Sequence, residues 1–235
     1  VQQGKTGLPL EPHQYWQEMV LAGTGEATLA SGCSESYPAR LKDGRHLLLP
    51  IRVLPGDGTR AVASLIINQA SFAVEDALAE ALAGELRPFA PEIIMGVPTL
   101  GLSLAANVAR QLGHKRMVPL GTSRKFWYRE ELSEPISSIT SPGQTKSVFI
   151  DPRMLPLLES NRVALVDDVI SSGASIAAVL RLLDKVNIKP VAIGAAMLQS
   201  TRWREPLAPW LDRIVAPLHS PMFEKTGEGR WLPLT

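Results

Sequence analysis

Apolar and polar positions alternate first in strand-like and then in helix-like periods. Residues 46–54 (HLLLPIRVL) and 60–67 (RAVASLII) read as two strands. The Pro55–Gly58 segment between them carries an Asp-Gly pair, a turn signal that predicts a β-hairpin. From Ser71 to Arg87, Phe72, Val74, Leu78, Leu82 and Leu86 recur mostly three or four apart, which predicts a helix buried on one face and capped by Ser71. Beyond it strands and helices alternate: strand 92–97, helix 102–112, strand 116–120, a long loop, strand 163–166, helix 175–186 and strand 191–198. This order predicts an α/β fold, a mostly parallel twisted sheet flanked by helices and joined by right-handed crossovers. Residues 1–44 are rich in Gly, Pro and polar side chains and read as a small N-terminal arm or hood with a short helix at 13–21. The main domain is expected over 45–218, with a Pro- and Trp-containing tail over 219–235.

In open sheets of this kind ligands sit beyond the carboxyl ends of the strands, and two loops fall there. The first is Pro98-Thr99-Leu100-Gly101, between strand 92–97 and its helix. The second follows Val163-Ala-Leu-Val166 and reads Asp167-Asp168-Val169-Ile170-Ser171-Ser172-Gly173-Ala174-Ser175. Two neighbouring carboxylates at a strand end are acceptors for vicinal hydroxyls, while backbone N–H groups and hydroxyls at a helix start form an anion nest. A ligand with a ribose diol and a phosphomonoester satisfies both halves, so a sugar phosphate fits.

The contiguous match from Val163 to Ser175 resembles the phosphoribosyl diphosphate (PRPP) signature of the type I phosphoribosyltransferases, and the order of loops is most like the adenine and other purine members. The resemblance implies that Asp167, Asp168, Ser171, Ser172, Gly173, Ala174 and Ser175 bind PRPP, and that Asp167 and Asp168 hold ribose hydroxyls or a Mg²⁺ ion. It makes Pro98–Gly101 the diphosphate loop, often built on a non-proline cis peptide. Leu100 departs from the Arg that adenine-type members carry before the Gly. Hypoxanthine/guanine members have a third Asp where this chain has Ser171, and small residues there are usual in the adenine type.

The stretch after Leu120 has little apolar periodicity over about 25 residues, far beyond the usual connection of about 4–6. Its Arg124-Lys125 pair stands where the family has a mobile catalytic loop, which implies that these cations neutralise the leaving diphosphate. Phe126, Trp127 and Val169 are the candidates to contact the base, with Trp16 and Tyr37 as further aromatics able to stack on it.

The expected activity is transfer of the phosphoribosyl group from PRPP to a purine, adenine favoured, with Mg²⁺ and as a homodimer. The alternative is a PRPP-binding regulator without transferase activity. A net charge of +1 gives no basic field for nucleic acid, and residues 1–45 hold four basic against five acidic side chains. No run approaches eighteen apolar residues and no basic-then-apolar leader is present, so no membrane partner and a cytoplasmic location are expected. Cys33 is the sole cysteine, and His13, His46, His114 and His219 show no ligand spacing, which leaves no Cys/His zinc site.

Overall fold

A computed structural model describes residues 10–21, 32–136 and 146–234. The strands are β1 (Ser36–Arg40), β2 (His46–Val53), β3 (Arg60–Ala63), β4 (Ile93–Gly96), β5 (Val118–Pro119), β6 (Ser133–Ile136), β7 (Lys146–Phe149), β8 (Val163–Ile170), β9 (Ala192–Gln199), β10 (Ile214–Val215), β11 (Leu218–Ser220), β12 (Met222–Lys225) and β13 (Trp231–Pro233). The helices are α1 (Phe72–Leu86), α2 (Gly101–Gln111), α3 (Leu155–Glu159) and α4 (Ala174–Asp184). The expected hairpin forms as β2 and β3, with Ile51 opposite Ala63.

The main sheet is parallel in the order β5-β4-β8-β9-β10, with β11 pairing further along β9. After β4 the chain adds β5 on one side and later returns to place β8 on the other. The carboxyl ends of β4 and β8 therefore border a topological switch point, the crevice where such sheets bind ligands. A second, antiparallel sheet runs β1-β2-β3-β12-β13 and so joins strands from the arm, the main domain and the tail.

Alternation along the strands builds two cores. Ile94, Val166 and Ala192 face α1, α2 and the antiparallel sheet, packing with Leu78, Leu82, Leu104 and Phe223. Their neighbours Met95, Leu165 and Ile193 face the opposite core with Val179 and Leu182 of α4, Leu132 and Ile150. In α1, Ser71 caps the helix by accepting from the Val74 N–H at 3.2 Å, and Val74, Leu78, Leu82 and Leu86 are buried. Phe72 is 86% exposed because it lies roughly 200° around the helix from Val74, on the opposite face.

Three expectations are corrected. Residues 13–21 do not form a helix: a single 3₁₀ turn at Pro12–Gln14 ends before Trp16, whose φ of 62° takes the chain out of helical geometry. Tyr15 and Trp16 are buried instead, the Trp16 indole N–H donating to the Ser64 carbonyl at 3.1 Å. The stretch after Leu120 is not structureless, since β6 and β7 pair antiparallel within it and Gly121 exchanges two 2.9 Å hydrogen bonds with Phe149. Its residues 137–145 lie outside the described residues, as do 1–9 and 22–31 of the arm. Finally, β8 runs to Ile170 rather than stopping at 166, because β9 continues to pair with it as far as Leu198.

Candidate functional site

The extension of β8 explains how the two acids are placed. Pairing with β4 stops at Gly96 and Val166, while pairing with β9 continues through Asp167, Val169 and Ile170. On the β4 side the strand is then flanked by the 98–101 loop. Gly101, the first residue of α2, comes so near that a Cβ built on it would lie 2.8 Å from both the Cα and the Oδ1 of Asp167. Only glycine fits that approach.

These elements open into one cavity of about 670 Å³, lined by Pro98, Thr99 and Leu100, by the continuous run from Asp167 to Ile176, and by residues of the β2–β3 hairpin. Asp167 is buried and Asp168 partly so, and the Asp168 N–H donates to Asp167 Oδ1 at 2.9 Å. Burial pushes the Asp167 carboxyl well above the usual carboxylate range, and the Asp168 charge adds to it. Burial raises Asp168 as well. Both carboxylates line the cavity, where hydroxyl donors of a ligand would reach them.

After Ile170 the chain turns through Ser171, Ser172 and Gly173 into α4. Gly173 has φ 79°, a conformation that favours glycine, and a Cβ there would also stand a tight 3.2 Å from the Leu207 Cγ. The first turn of α4 carries N–H groups with no partner inside the helix, at its positive end. Gly173, Ala174, Ser175 and Ile176 line the cavity beside the Ser172 hydroxyl, which accepts from the Ala174 N–H at 3.4 Å. An anion bound there meets backbone donors rather than a lone charge. Across from it, the peptide between Pro98 and Thr99 is cis.

The structure brings Asp167, Asp168, Ser171–Ser175, Pro98–Leu100 and Val169 to one cavity, with Gly101 behind the acids. It does not bring Arg124, Lys125, Phe126 or Trp127 there. Arg124 pairs with Glu130 at 2.7 Å. Phe126 is 96% exposed and packs edge-on against Trp127, whose ring lies under Arg153 at 4.7 Å. Tyr37 stacks edge-on with Phe223 at 5.3 Å and Trp16 is core, so neither aromatic lines the cavity.

Sequence reasoning missed the roof of the cavity, formed by Arg52, Leu54, Val62, Ser64, Leu65 and Ile66; the run Gln199–Glu205 after the last parallel strand loosely resembles the adenine type, but its Gln199 and Arg202, the side wall, had no assigned role. The roof gave no signal, since a hairpin distant in sequence reads only as a hairpin. Gln199 did give one: it is the single amide closing the otherwise apolar β9, at a carboxyl end of the parallel sheet. Its Nε2 donates to the Ala63 carbonyl at 2.7 Å and its Oε1 accepts from the Ser171 hydroxyl at 2.8 Å, while Arg202 Nη2 donates to Ser171 Oγ at 3.2 Å.

A parallel sheet with paired acids and a hydroxyl-glycine turn at its switch point defines a protein of the open α/β class with its ligand crevice at that point. A phosphoribosyl transferase domain matches residues 62–217, so the chain belongs to the phosphoribosyltransferase family. It is 30% identical over 141 residues to an adenine phosphoribosyltransferase of Acidothermus cellulolyticus, covering 60% of this chain and 73% of that one. It is also 30% identical over 115 residues to the bifunctional protein PyrR of Streptomyces coelicolor, covering 48% and 55% of the two chains. In fold it resembles the adenine phosphoribosyltransferase of Thermoanaerobacter pseudethanolicus (TM-score 0.52, 23% identity, 63% of this chain and 81% of that one). A Giardia lamblia APRTase crystallised with 9-deazaadenine is similar (TM-score 0.57, 19% identity, 72% and 93%). The protein is accordingly a pentosyltransferase.

Proposed function

We propose that the protein transfers the 5-phosphoribosyl group from PRPP to a purine base and releases diphosphate. The observation that carries this reading is the convergence of the acid pair, the nest at the start of α4 and the 98–101 loop on one cavity. The nest holds the 5′-phosphate through the N–H groups of 173–175 and the Ser172 and Ser175 hydroxyls. Asp167 and Asp168 accept from the ribose hydroxyls and fix the sugar, which leaves its anomeric carbon between the 98–101 loop and the roof. The carbon–oxygen bond to diphosphate then breaks as a bond from a ring nitrogen of the base forms. The base gives up one ring proton.

Charge on the sugar rises through an oxocarbenium-like transition state, as in glycoside cleavage, and the buried negative pair beside it stabilises that charge. Leu54, Leu65, Ile66 and Val169 present an apolar wall to a flat base. Arg124 and Lys125 stand outside the cavity. To act on the diphosphate, Arg124 must exchange Glu130 for a phosphate oxygen.

Two carboxylates suit Mg²⁺, which keeps several waters and shares the phosphates of its substrate. Among the described residues no three His, Cys, Asp or Glu side chains form a fuller cage. Asp167 and Asp168 would hold the ion, whose contribution when bound is to neutralise phosphate charge.

Diphosphate release from PRPP and Mg²⁺ is the test, with a panel of adenine, guanine, hypoxanthine, xanthine, uracil and orotate. Release with one or more purines supports the reading. Release only with a pyrimidine, or with no base, would overturn it, and tight PRPP binding without release would favour a PRPP sensor.

A further inference from the structure

Arg202 takes no part in the mechanism above, yet its side chain is aimed. The chain of hydrogen bonds that holds it has a polarity set at one end. A backbone carbonyl only accepts, so the group that Gln199 places 2.7 Å from the Ala63 oxygen is its amide donor, and Oε1 is turned to Ser171. The Ser171 hydroxyl therefore gives its proton to Gln199 at 2.8 Å and accepts from Arg202 at 3.2 Å with a lone pair. This engages Ser171 toward β9 and β3, the hairpin side of the cavity, rather than toward the first turn of α4. Arg202 is thereby tied at the cavity wall through one N–H, and among the described residues its other side-chain N–H groups have no partner.

Arg52 lies on the same cavity, at the β2 position opposite Val62. Among the described residues, it and Arg202 are the cations of the lining, and Asp167 and Asp168 are its acids. A guanidinium has donors alone, so whatever faces it must bring lone pairs. An amino group in that place would set donor against donor.

We propose that Arg202, positioned by Ser171 and Gln199, is a specificity-determining residue that selects an oxo-substituted purine, one turning a ring carbonyl or an ionised ring nitrogen toward it, over an aminopurine. The inference rests on the transfer reading and moves the expected acceptor from adenine toward hypoxanthine, guanine or xanthine. The same donor chemistry suits the 5′-phosphate of PRPP, and the experiment separates the two sources.

Steady-state diphosphate release is measured for adenine and the three oxopurines, with the KM for PRPP alongside, in the wild type and in Arg202→Met. The wild type should prefer an oxopurine by about tenfold or more in kcat/KM, the scale of one charge-assisted hydrogen bond. Arg202→Met should lower that oxopurine value by about tenfold, leave adenine unchanged or raised, and keep the PRPP KM within about twofold. Arg202→Lys, which keeps the charge without the planar fork, should fall between. A wild type that prefers adenine overturns the proposal. So does an equal loss for every base with a raised PRPP KM, which would give Arg202 to the phosphate. If no base is turned over, the transfer reading has failed on its own. Calorimetry of the same bases on PRPP-loaded protein then decides: an oxopurine preference that Arg202→Met removes sustains the proposal, and equal binding overturns it.

Discussion

Gly101 and Asp167 stand in direct backbone contact, with room for no atom between them: a methyl on Gly101 would meet Asp167 Cα and Oδ1 at 2.8 Å. The start of α2 is thus pressed against the acid that the ribose would meet, and the spacing of the 98–101 loop from the acid pair is set by a missing side chain. Gly101→Ala should force the two apart. Overpacking of this kind costs about 1–3 kcal/mol. Diphosphate release should fall by at least about tenfold, since small displacements at a positioned site are costly. Chemical denaturation and turnover measured on the same sample check both; a variant with wild-type stability and rate would show that the contact is not constraining.

The acid pair gives a prediction in which stability and activity move in opposite directions. In the ligand-free protein the Asp167 pKa is raised above its unfolded value, by burial first and by Asp168 second. Between the ordinary Asp value and that raised value the native state binds more protons than the unfolded chain, so stability falls as pH rises through the window. Asp167→Asn removes this penalty and keeps an oxygen to accept from the Asp168 N–H. The variant should be more stable than wild type at neutral pH, with the difference shrinking toward acid pH. Its turnover should drop by about a hundredfold or more, the scale of losing one electrostatic stabiliser. Thermal unfolding across pH, paired with diphosphate release, reads both.

Much of the site was legible because its chemistry is local in sequence. The strand, acid pair, nest and helix of 163–184 are contiguous, and each step follows from neighbours: alternation buries Leu165 and Val166 on opposite sides, and Gly173 turns the chain into α4. The parts that escaped reading depend on distant partners. β6 has a single large apolar residue, Ile136, and is a strand because β7 pairs with it. The roof was hidden for the same reason, since Arg52 and Ile66 reach the cavity only through packing of the two sheets. Trp16 reads as part of a short helix until its indole is seen bonded to Ser64, 48 positions away.

Gln199 links the two sheets at the cavity wall, and its two ends are not equivalent. Gln199→Leu strips the Ala63 carbonyl and the Ser171 hydroxyl of a buried partner, which should cost about 1–3 kcal/mol. That corresponds to a fall in Tm of at least about 2–4 °C for a chain of this size. Gln199→Glu keeps the shape and the acceptor for Ser171 but, once ionised, sets a carboxylate against the Ala63 carbonyl. It should therefore be the less stable of the two at neutral pH and recover in acid, where a protonated carboxyl can donate. If Gln199→Glu matched wild type at neutral pH, the assigned direction of the hydrogen-bond chain would be wrong.

The β6–β7 strand pair is fastened to the end of α4 by the Glu134 carboxylate and the Ser133 carbonyl. Glu134 of β6 accepts from Lys185 and Arg181 at 2.7 Å each, and Lys185 also donates to the Ser133 carbonyl at 2.7 Å. The Lys185 and Arg181 hydrogen bonds, in that order, hold the Glu134 carboxyl below its ordinary range. A lowered folded-state pKa means that this stabilisation is fully present above the unfolded Glu value and is lost as pH falls through the folded one. Both cations are about half exposed, so the contribution is roughly 0.2–1 kcal/mol and weakens with salt. Glu134→Gln should leave global unfolding almost unchanged at neutral pH, while amide exchange in the paired residues of β6 and β7 quickens, because a weak local tie governs local opening before global unfolding. The wild type should approach the variant's exchange behaviour in acid or high salt. Val148 and Ile136 reach the cavity from this hairpin, so the same variant should raise the KM for the base more than that for PRPP. Equal exchange rates in the two proteins at neutral pH and low salt would mean that the apolar contacts of Leu132 and Val148 hold the hairpin without the ion pair.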